Sequence, residues 1–558
     1  MAGSSISNPS ISRAQPLDNP GQGENPKSLN THLVKCVERA AGDTNPGRTA
    51  LRFLDHKRTA EGTSTSISYE ELLESVSRFA AFLKNNGVKS GDRVGIYFLN
   101  SPEYVVSFLS ILKVGAVVVP INPLLKSFEI DHILGDSQAL HLVASSKLLE
   151  ESIPLEHSLP NLNNIFAVSY YEENTKGSDS GGKPEGIPAT KHIPVSISSL
   201  ADDKLGEILY SPDGLAVLVY TSGTTGNPKG AMLGHDNLVS AVTMKRDSFV
   251  VREDDRLLAV LPLCHIYGMV VVMLGALTEG ASLSIVESFD ADGVLDRIET
   301  DKITILPAVP AMFQFMEMAQ QEQKRDTSSL YYCVTGGAAM DPAVKEKAES
   351  SLGAPILEGY ALTEVSCVAT LTPIDGVHKC GSAGPAINGV TLKILNDNGD
   401  SLPPGAENVG EVAIGGPQVM RGYFNQRQAT EAVFKNDLFL TGDLGYLDED
   451  GYLYICGRSK ELIIRGGQNI YPREIELAIE KHPAVAAVAV VGVPDQYMGE
   501  RVKAVIVAGK GREDDLSESA LKSFLTDKLA PYKIPRIFEF RESLPRNSTG
   551  KVLKRLLV

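Results

Sequence analysis

Three consecutive segments near the start restrict the folds open to this chain more than anything else in it. Val94-Gly95-Ile96-Tyr97-Phe98 is a short apolar run, residues 102–114 have a helical pattern, and Ala116-Val117-Val118-Val119-Pro120 is a second apolar run. Strands that alternate with a helix and read as unbroken apolar runs are covered on both faces, as in the parallel sheet of a doubly wound α/β domain. The chain has 558 residues, more than one hydrophobic core serves, so at least two domains are expected.

The texture changes after about residue 380. Leu392-Lys393-Ile394-Leu395, the turn Asp397-Asn398-Gly399-Asp400 and Gly410-Glu411-Val412-Ala413-Ile414 suggest a β-rich subdomain. From about Arg458 a final α+β unit follows, with strands expected at 461–464, 485–491 and 503–507 and helices at 472–481 and 517–529. Residues 1–30, rich in Ser, Pro, Asn and Gly, read as a disordered tail without an export or import signal, and residues 172–191 read as a surface excursion.

The net charge of −16 argues against a nucleic-acid partner, so an anionic ligand has to be held by local donors. Cys36, Cys264, Cys333, Cys367, Cys380 and Cys456 show no metal-ligand spacing and read as reduced packing residues. No apolar stretch reaches the length of a membrane span, and a cytoplasmic location is expected. A homodimer is left open.

Residues 220–230, Tyr220-Thr221-Ser222-Gly223-Thr224-Thr225-Gly226-Asn227-Pro228-Lys229-Gly230, combine hydroxyls, glycines and a lysine directly after the apolar run Ala216-Val217-Leu218-Val219. A buried strand that empties into small residues lets backbone N–H groups approach an anion, so the loop reads as a phosphate cradle. It is not a Walker A loop, because Lys229 follows Pro228 and precedes Gly230. Pro545-Arg546-Asn547-Ser548-Thr549-Gly550-Lys551 is a second donor-rich loop, and the pair suggests a ligand held between domains.

With Gly359-Tyr360-Ala361-Leu362-Thr363-Glu364, Thr441-Gly442-Asp443, Gly457-Arg458 and the run Arg465-Gly466-Gly467-Gln468-Asn469-Ile470-Tyr471-Pro472-Arg473-Glu474, these loops resemble the adenylate-forming superfamily of acyl-CoA synthetases, luciferases and peptide-synthetase adenylation domains. The resemblance runs from about residue 30 to 558. It implies a large N-terminal adenylation domain, 31–458, of two α/β subdomains and a β-barrel, and a small mobile α+β domain, 459–558. It also implies ATP, Mg²⁺ and coenzyme A as cofactors and cosubstrates, and a small carboxylic acid as substrate.

The resemblance distributes roles over the site. Thr221, Ser222, Gly223, Thr224, Thr225 and Lys229 would hold the β- and γ-phosphates. Glu364 is the natural Mg²⁺ ligand, with Thr221 beside it, and Thr363 would add a hydroxyl near the α-phosphate. Tyr360 would stack on adenine, flanked by Gly336, Gly337, Ala338, Glu358 and Gly359, and Asp443 with Arg458 would clamp the ribose. Lys551 would bridge the attacking carboxylate and the α-phosphate. Lys460 stands at the hinge, and Gly466 and Gly467 would line the channel for the pantetheine arm.

For the acid, Leu261-Pro262-Leu263-Cys264-His265-Ile266-Tyr267-Gly268 resembles the acyl-CoA synthetase form of the family's aromatic motif, and the resemblance implies that His265 would face the carboxylate. Residues 269–274 and 307–313 would give an apolar wall, and a plain helical core explains them equally well. Ala361 replaces the commoner glycine and would narrow the acyl pocket. The implied activity is a fatty-acid–CoA ligase for a medium- or long-chain acid. The alternatives are an aryl-CoA ligase, a fatty acyl-AMP ligase feeding a carrier protein, or a luciferase-like oxygenase. A noncatalytic nucleotide- or acyl-binding regulator is disfavoured by the joint presence of Lys229, Glu364 and Lys551.

Overall fold

The computed structural model describes residues 32–43, 45–55, 63–152, 162–169, 192–211, 214–221, 228–244, 249–465, 468–546 and 552–558. The stretches read from sequence as a tail and as the 172–191 excursion lie outside them.

The apolar runs are strands of a parallel sheet. Arg93–Tyr97 lies between Val117–Ile121 and His141–Ser145, and the order continues through Asn164–Ser169 to His192–Ser196, all parallel. Every residue of Val117–Ile121 is buried, as a strand with both faces covered requires. The helix between the first two strands, Pro102–Lys113, starts where its sequence dictates: Ser101 Oγ accepts the Tyr104 N–H and Pro102 occupies the first turn. It ends into Gly115 at φ +78°, where an added Cβ would lie 2.9 Å from the Tyr210 carbonyl carbon. Only glycine fits there.

The other edge of this sheet is a hairpin. Leu215–Thr221 pairs in parallel with Val117–Ile121 and antiparallel with Lys229–Gly234, placing Thr221 opposite Lys229. A second, eight-stranded sheet runs Cys367–Leu371, Ile356–Leu362, Tyr332–Thr335, Ile305–Ala308, Arg256–Ala259, Ser282–Ile285, Thr49–Asp55 and Thr63–Ser68. Both sheets share one extended apolar core.

The β-rich unit is an antiparallel sheet of Thr391–Leu395, Gly410–Gly415, Leu438–Leu447 and Phe434–Lys435, with Leu453–Arg458 also paired to Leu438–Leu447. Beyond Arg458 the chain builds separate cores on a last sheet. Val488 and Val490 of Val485–Asp495 face one side with Ile463, Ile475 and Leu521, and Ala489 and Val491 face the other with Leu544 and Leu557. Side chains alternate across a strand, so one strand serves both cores.

Two expectations are corrected. The strand read at 461–464 starts later, at Ile463, because Ser459–Glu461 forms a short 3₁₀ turn. Cys380 is exposed and Cys456 half-buried, while the other four cysteines are buried as packing residues. Among the described residues no helix is long and apolar enough to cross a membrane.

Candidate active site

The ends of both large sheets and the β-rich unit meet around the motifs. Ser222, Gly223, Thr224 and Thr225 lie outside the described residues, and the hairpin beneath them fixes Thr221 and Lys229 side by side. Residues 420–424 clamp that hairpin, with Met232 N–H donating to Gly422 O at 2.9 Å and Phe424 N–H to Gly230 O at 2.8 Å. The same segment holds the acidic turn, since Met420 N–H donates to Glu364 O at 2.7 Å.

Tyr423 therefore joins two site residues. Its hydroxyl donates to Glu364 Oε1 at 2.9 Å, and Lys229 Nζ lies 5.2 Å from its ring centroid. Sequence reasoning missed Tyr423. Its stretch Arg421-Gly422-Tyr423-Phe424-Asn425 carried no sequence sign of this contact; in the structure Gly422 and Asn425 take φ +126° and +53°. The turn Thr363–Val365 that carries Thr363 and Glu364 leads into Ser366 and Cys367, both non-glycine residues at positive φ. Such backbone costs on the order of 1–3 kcal/mol per residue and collects at ligand-binding sites.

A second cluster forms around Asp443. Strand pairing sets Asp443 opposite Arg458, and Arg458 Nε donates to Asp443 Oδ1 at 2.9 Å. The Tyr360 hydroxyl donates to Asp443 Oδ2. Both oxygens of the carboxylate are thus engaged, and a carboxylate has about four acceptor positions, so room for two further donors remains. Burial and the adjacent Asp443 push the Tyr360 phenol well above its ordinary range, so it stays a neutral donor.

Gly336 and Gly359 bring the ends of two neighbouring strands together, with Gly359 O 3.3 Å from where a Cβ on Gly336 would lie. Gly337 follows at φ +83°, and Gly337 and Ala338 are exposed at the mouth of this crevice. Glu358 flanks it, and its Oε1 is 2.9 Å from Lys345 Nζ. Burial pushes the Glu358 carboxyl up, and Lys345 opposes that most strongly.

His265 is half-buried, and burial lowers its pKa. The Tyr267 N–H donates to its Nδ1 at 3.3 Å, which leaves the proton of the neutral ring on Nε2. The chain then winds as an eight-residue π-helix, Tyr267–Leu274, a geometry enriched at functional sites. Tyr267 and Val271 from this helix line a cavity with Phe249, Val334, Thr335, Gly336, Gly359, Ala361, Cys367, Val368 and Leu371. The Tyr267 hydroxyl is turned away onto Val334 O at 3.0 Å. A bulge between Tyr360 and Ala361 sets Ala361 opposite Val368, so its methyl belongs to the wall. Of the two stretches expected there, 269–274 contributes Val271, while none of 307–313 lines the cavity; Phe313 is fully buried core.

Lys460 is exposed in the turn Ser459–Glu461, directly after Arg458. Gly466, Gly467 and Lys551 lie outside the described residues. Their flanks are paired, Arg465 with Gln468 and Arg546 with Val552. Lys554 Nζ reaches Glu461 at 3.1 Å and buried Glu476 at 2.7 Å, tying the last turn of the chain to the turn that carries Lys460.

Glu364, Thr221 and Thr363 are hard oxygen donors, and no group of three or more His, Cys, Asp or Glu able to hold a metal occurs among the described residues. One carboxylate beside a phosphate loop fits Mg²⁺, which takes few protein ligands and completes its shell with water and phosphate.

The model of AMP-binding enzymes matches residues 37–424, and the model of the AMP-binding enzyme C-terminal domain matches residues 474–551. The chain is similar to a long-chain-fatty-acid–CoA ligase of Bacillus subtilis, 35% identical over 92% of both chains. It is also similar to an indoleacetate–CoA ligase of Aromatoleum aromaticum, 34% identical over 94% of this chain and 96% of the other. Among solved structures it superposes on ATP-bound MatB of Rhodopseudomonas palustris with a TM-score of 0.80, at 30% identity, covering 95% of this chain and 98% of that one.

Proposed function

The chain belongs to the family of AMP-binding, adenylate-forming enzymes, and on that premise we propose which acid it activates and which residues do the work. It is an AMP-forming acid–CoA ligase. A carboxylate oxygen attacks the α-phosphate of ATP and pyrophosphate leaves. The thiol of CoA then attacks the acyl carbon, the thioester forms and AMP leaves.

The proposed acid is a monocarboxylic acid with an apolar body, in the first place a medium- or long-chain fatty acid. The cavity behind Ala361 carries this reading: its side chains are apolar apart from Thr335, and the Tyr267 hydroxyl is already used on Val334 O. A second polar group on the acid would be buried there without a partner, at a cost of about 1–3 kcal/mol. An aryl acid is the second reading, favoured by the Phe249 and Tyr267 rings in the same wall.

His265, with its proton on Nε2, would donate to the carboxylate at the cavity mouth. Thr221 and Lys229 would support the departing pyrophosphate with Ser222, Gly223, Thr224 and Thr225. Tyr423 holds Glu364 in the orientation in which it would ligate Mg²⁺, and bound Mg²⁺ supplies charge neutralisation on the phosphates. Tyr360 and Asp443 would seat adenosine, with Arg458 fixing Asp443. Lys551 would carry adenylation, because a compact cation between carboxylate and phosphate offsets the charge that builds there.

We also propose a division after Arg458, with Lys460 as the pivot of a mobile domain 459–558 whose Gly466 and Gly467 line the thiol channel. Separate cores on either side of that point support it. The test is pyrophosphate release over alkyl acids of rising length and aryl acids, with CoA, a carrier protein or neither, and products identified by mass. Release of ADP in place of AMP, or a preference for dicarboxylic acids, would count against the proposal.

A further inference from the structure

Lys345 stands on the helix Pro342–Leu352, and no role in the reaction described above falls to it. Its side chain and that of Glu358, on the strand Ile356–Leu362, are 15% and 12% exposed and form a close ion pair. Glu358 precedes Tyr360 by two residues on one strand, so carboxylate and ring project to the same face. Two more charged groups face this carboxylate. Glu349, one turn on from Lys345, repels it while its own Oε1 accepts the Ile356 N–H at 2.7 Å, and His378, after the strand Cys367–Leu371, attracts it.

We propose that Lys345 makes the nucleotide site selective for adenine, by holding Glu358 as a carboxylate with one oxygen engaged and the other turned to the base. This rests on the reading of Glu358 and Tyr360 as base-binding residues. A carboxylate accepts hydrogen bonds and donates none. It therefore pairs with the exocyclic amine of adenine and opposes the carbonyl that hypoxanthine and guanine carry at the same ring position. Without Lys345, the burial of Glu358 loses its strongest opposition, only the weaker attraction of His378 remains, and the protonated form is favoured. A protonated carboxyl both donates and accepts, so amine and carbonyl are received alike and the selection is lost.

ITP is the probe, since it replaces the amine by a carbonyl and leaves sugar and phosphates unchanged. Kd for ATP and ITP, each with Mg²⁺, is measured by calorimetry on the full-length chain, alongside acid-dependent pyrophosphate release. The wild type should prefer ATP by about 100-fold or more, and Lys345→Met should reduce that preference to about 10-fold or less. Lys345→Arg should keep it. Glu358→Gln, whose amide donates without taking up a proton, should lose it with Lys345 in place. In Lys345→Met the preference should return as pH rises. Equal weakening of ATP and ITP in Lys345→Met, or an unchanged preference in Glu358→Gln, would overturn the role of Lys345. A wild type that binds neither nucleotide would instead overturn the ligase reading beneath it.

Discussion

The hydroxyl of Tyr423 donates to Glu364 Oε1 across 2.9 Å. One lone pair of the carboxylate is thereby fixed, and the direction left for a cation is set by a residue 59 positions along the chain. Groups that orient a metal ligand in this way commonly carry about 10-fold or more in metal affinity. Tyr423→Phe should raise the Mg²⁺ concentration for half-maximal pyrophosphate release about 10-fold, with little change in the KM of the acid. Tyr423→Leu, which also removes the ring beneath Lys229, should in addition raise the KM for ATP.

Lys551→Ala should abolish acid-dependent pyrophosphate release and leave thioester formation from supplied acyl-adenylate largely intact. In its proposed role the lysine stabilises only the first transition state. Rapid-quench assays of each half-reaction decide this, and equal loss in both would remove Lys551 from its assignment.

Lys460→Pro reverses that pattern. The residue is exposed, so its side chain anchors no core. A fixed φ would hinder turning without touching the phosphate site. Adenylation should proceed at close to the wild-type rate while transfer to CoA slows by about 10-fold or more, the sign of a conformational step limiting turnover.

Ala361 should set the size of the acid. Ala361→Val adds carbon to a wall that already contains Val271, Val368 and Leu371, and should lower kcat/KM for the bulkiest accepted acid by about 10-fold or more. Ala361→Gly should raise it. A competition assay with acids of increasing length reads both variants, and the smallest acids should scarcely respond.

Acid should destabilise the protein through two stacked histidines. His32 and His235 lie 3.9 Å apart between ring centroids, and their Nδ1 atoms accept N–H groups from the first turn of the helix Leu33–Asp43, Val34 to His32 at 3.2 Å and Leu33 to His235 at 3.5 Å. Burial holds His32 down to about 4 and His235 well below its usual range. The unfolded chain takes up these protons near pH 6.5, the folded chain later, so stability present above that pH is lost as pH falls toward 4. His32 alone accounts for about 3 kcal/mol at the low end. Chemical unfolding from pH 7 to 5 should show the fall, and His32→Gln should flatten it.

The fold was legible wherever burial imposed a period. Val117–Ile121 reads as a covered parallel strand because all five side chains are buried, and the hydrophobic effect leaves no other composition there. Site residues with fixed chemistry, such as Glu364, Asp443 and Lys229, were legible because their neighbours form recognisable motifs. Tyr423 and Lys345 were not. Tyr423 meets Glu364 across 59 residues and Lys345 meets Glu358 between a helix and the strand that follows it, and such pairings exist only once those elements are packed together. The stretch 307–313 stayed open between acid wall and helical core for the opposite reason, because an apolar run that lines a ligand and one that fills a core have the same composition.

The antiparallel pairing of Thr221 with Lys229 also bears on how this enzyme can vary. Thr221 and Lys229 stand one interstrand spacing apart, about 5 Å, and so fix the span that the chain between them has to close. The loop between them is thus anchored from outside, while its own composition answers to the phosphates that Ser222, Gly223, Thr224 and Thr225 are proposed to hold. A one-residue slip of the strand Lys229–Gly234 would turn Lys229 to the opposite face and strip the loop of its cation. Heritable variation should therefore be nearly absent from the register of the two anchors.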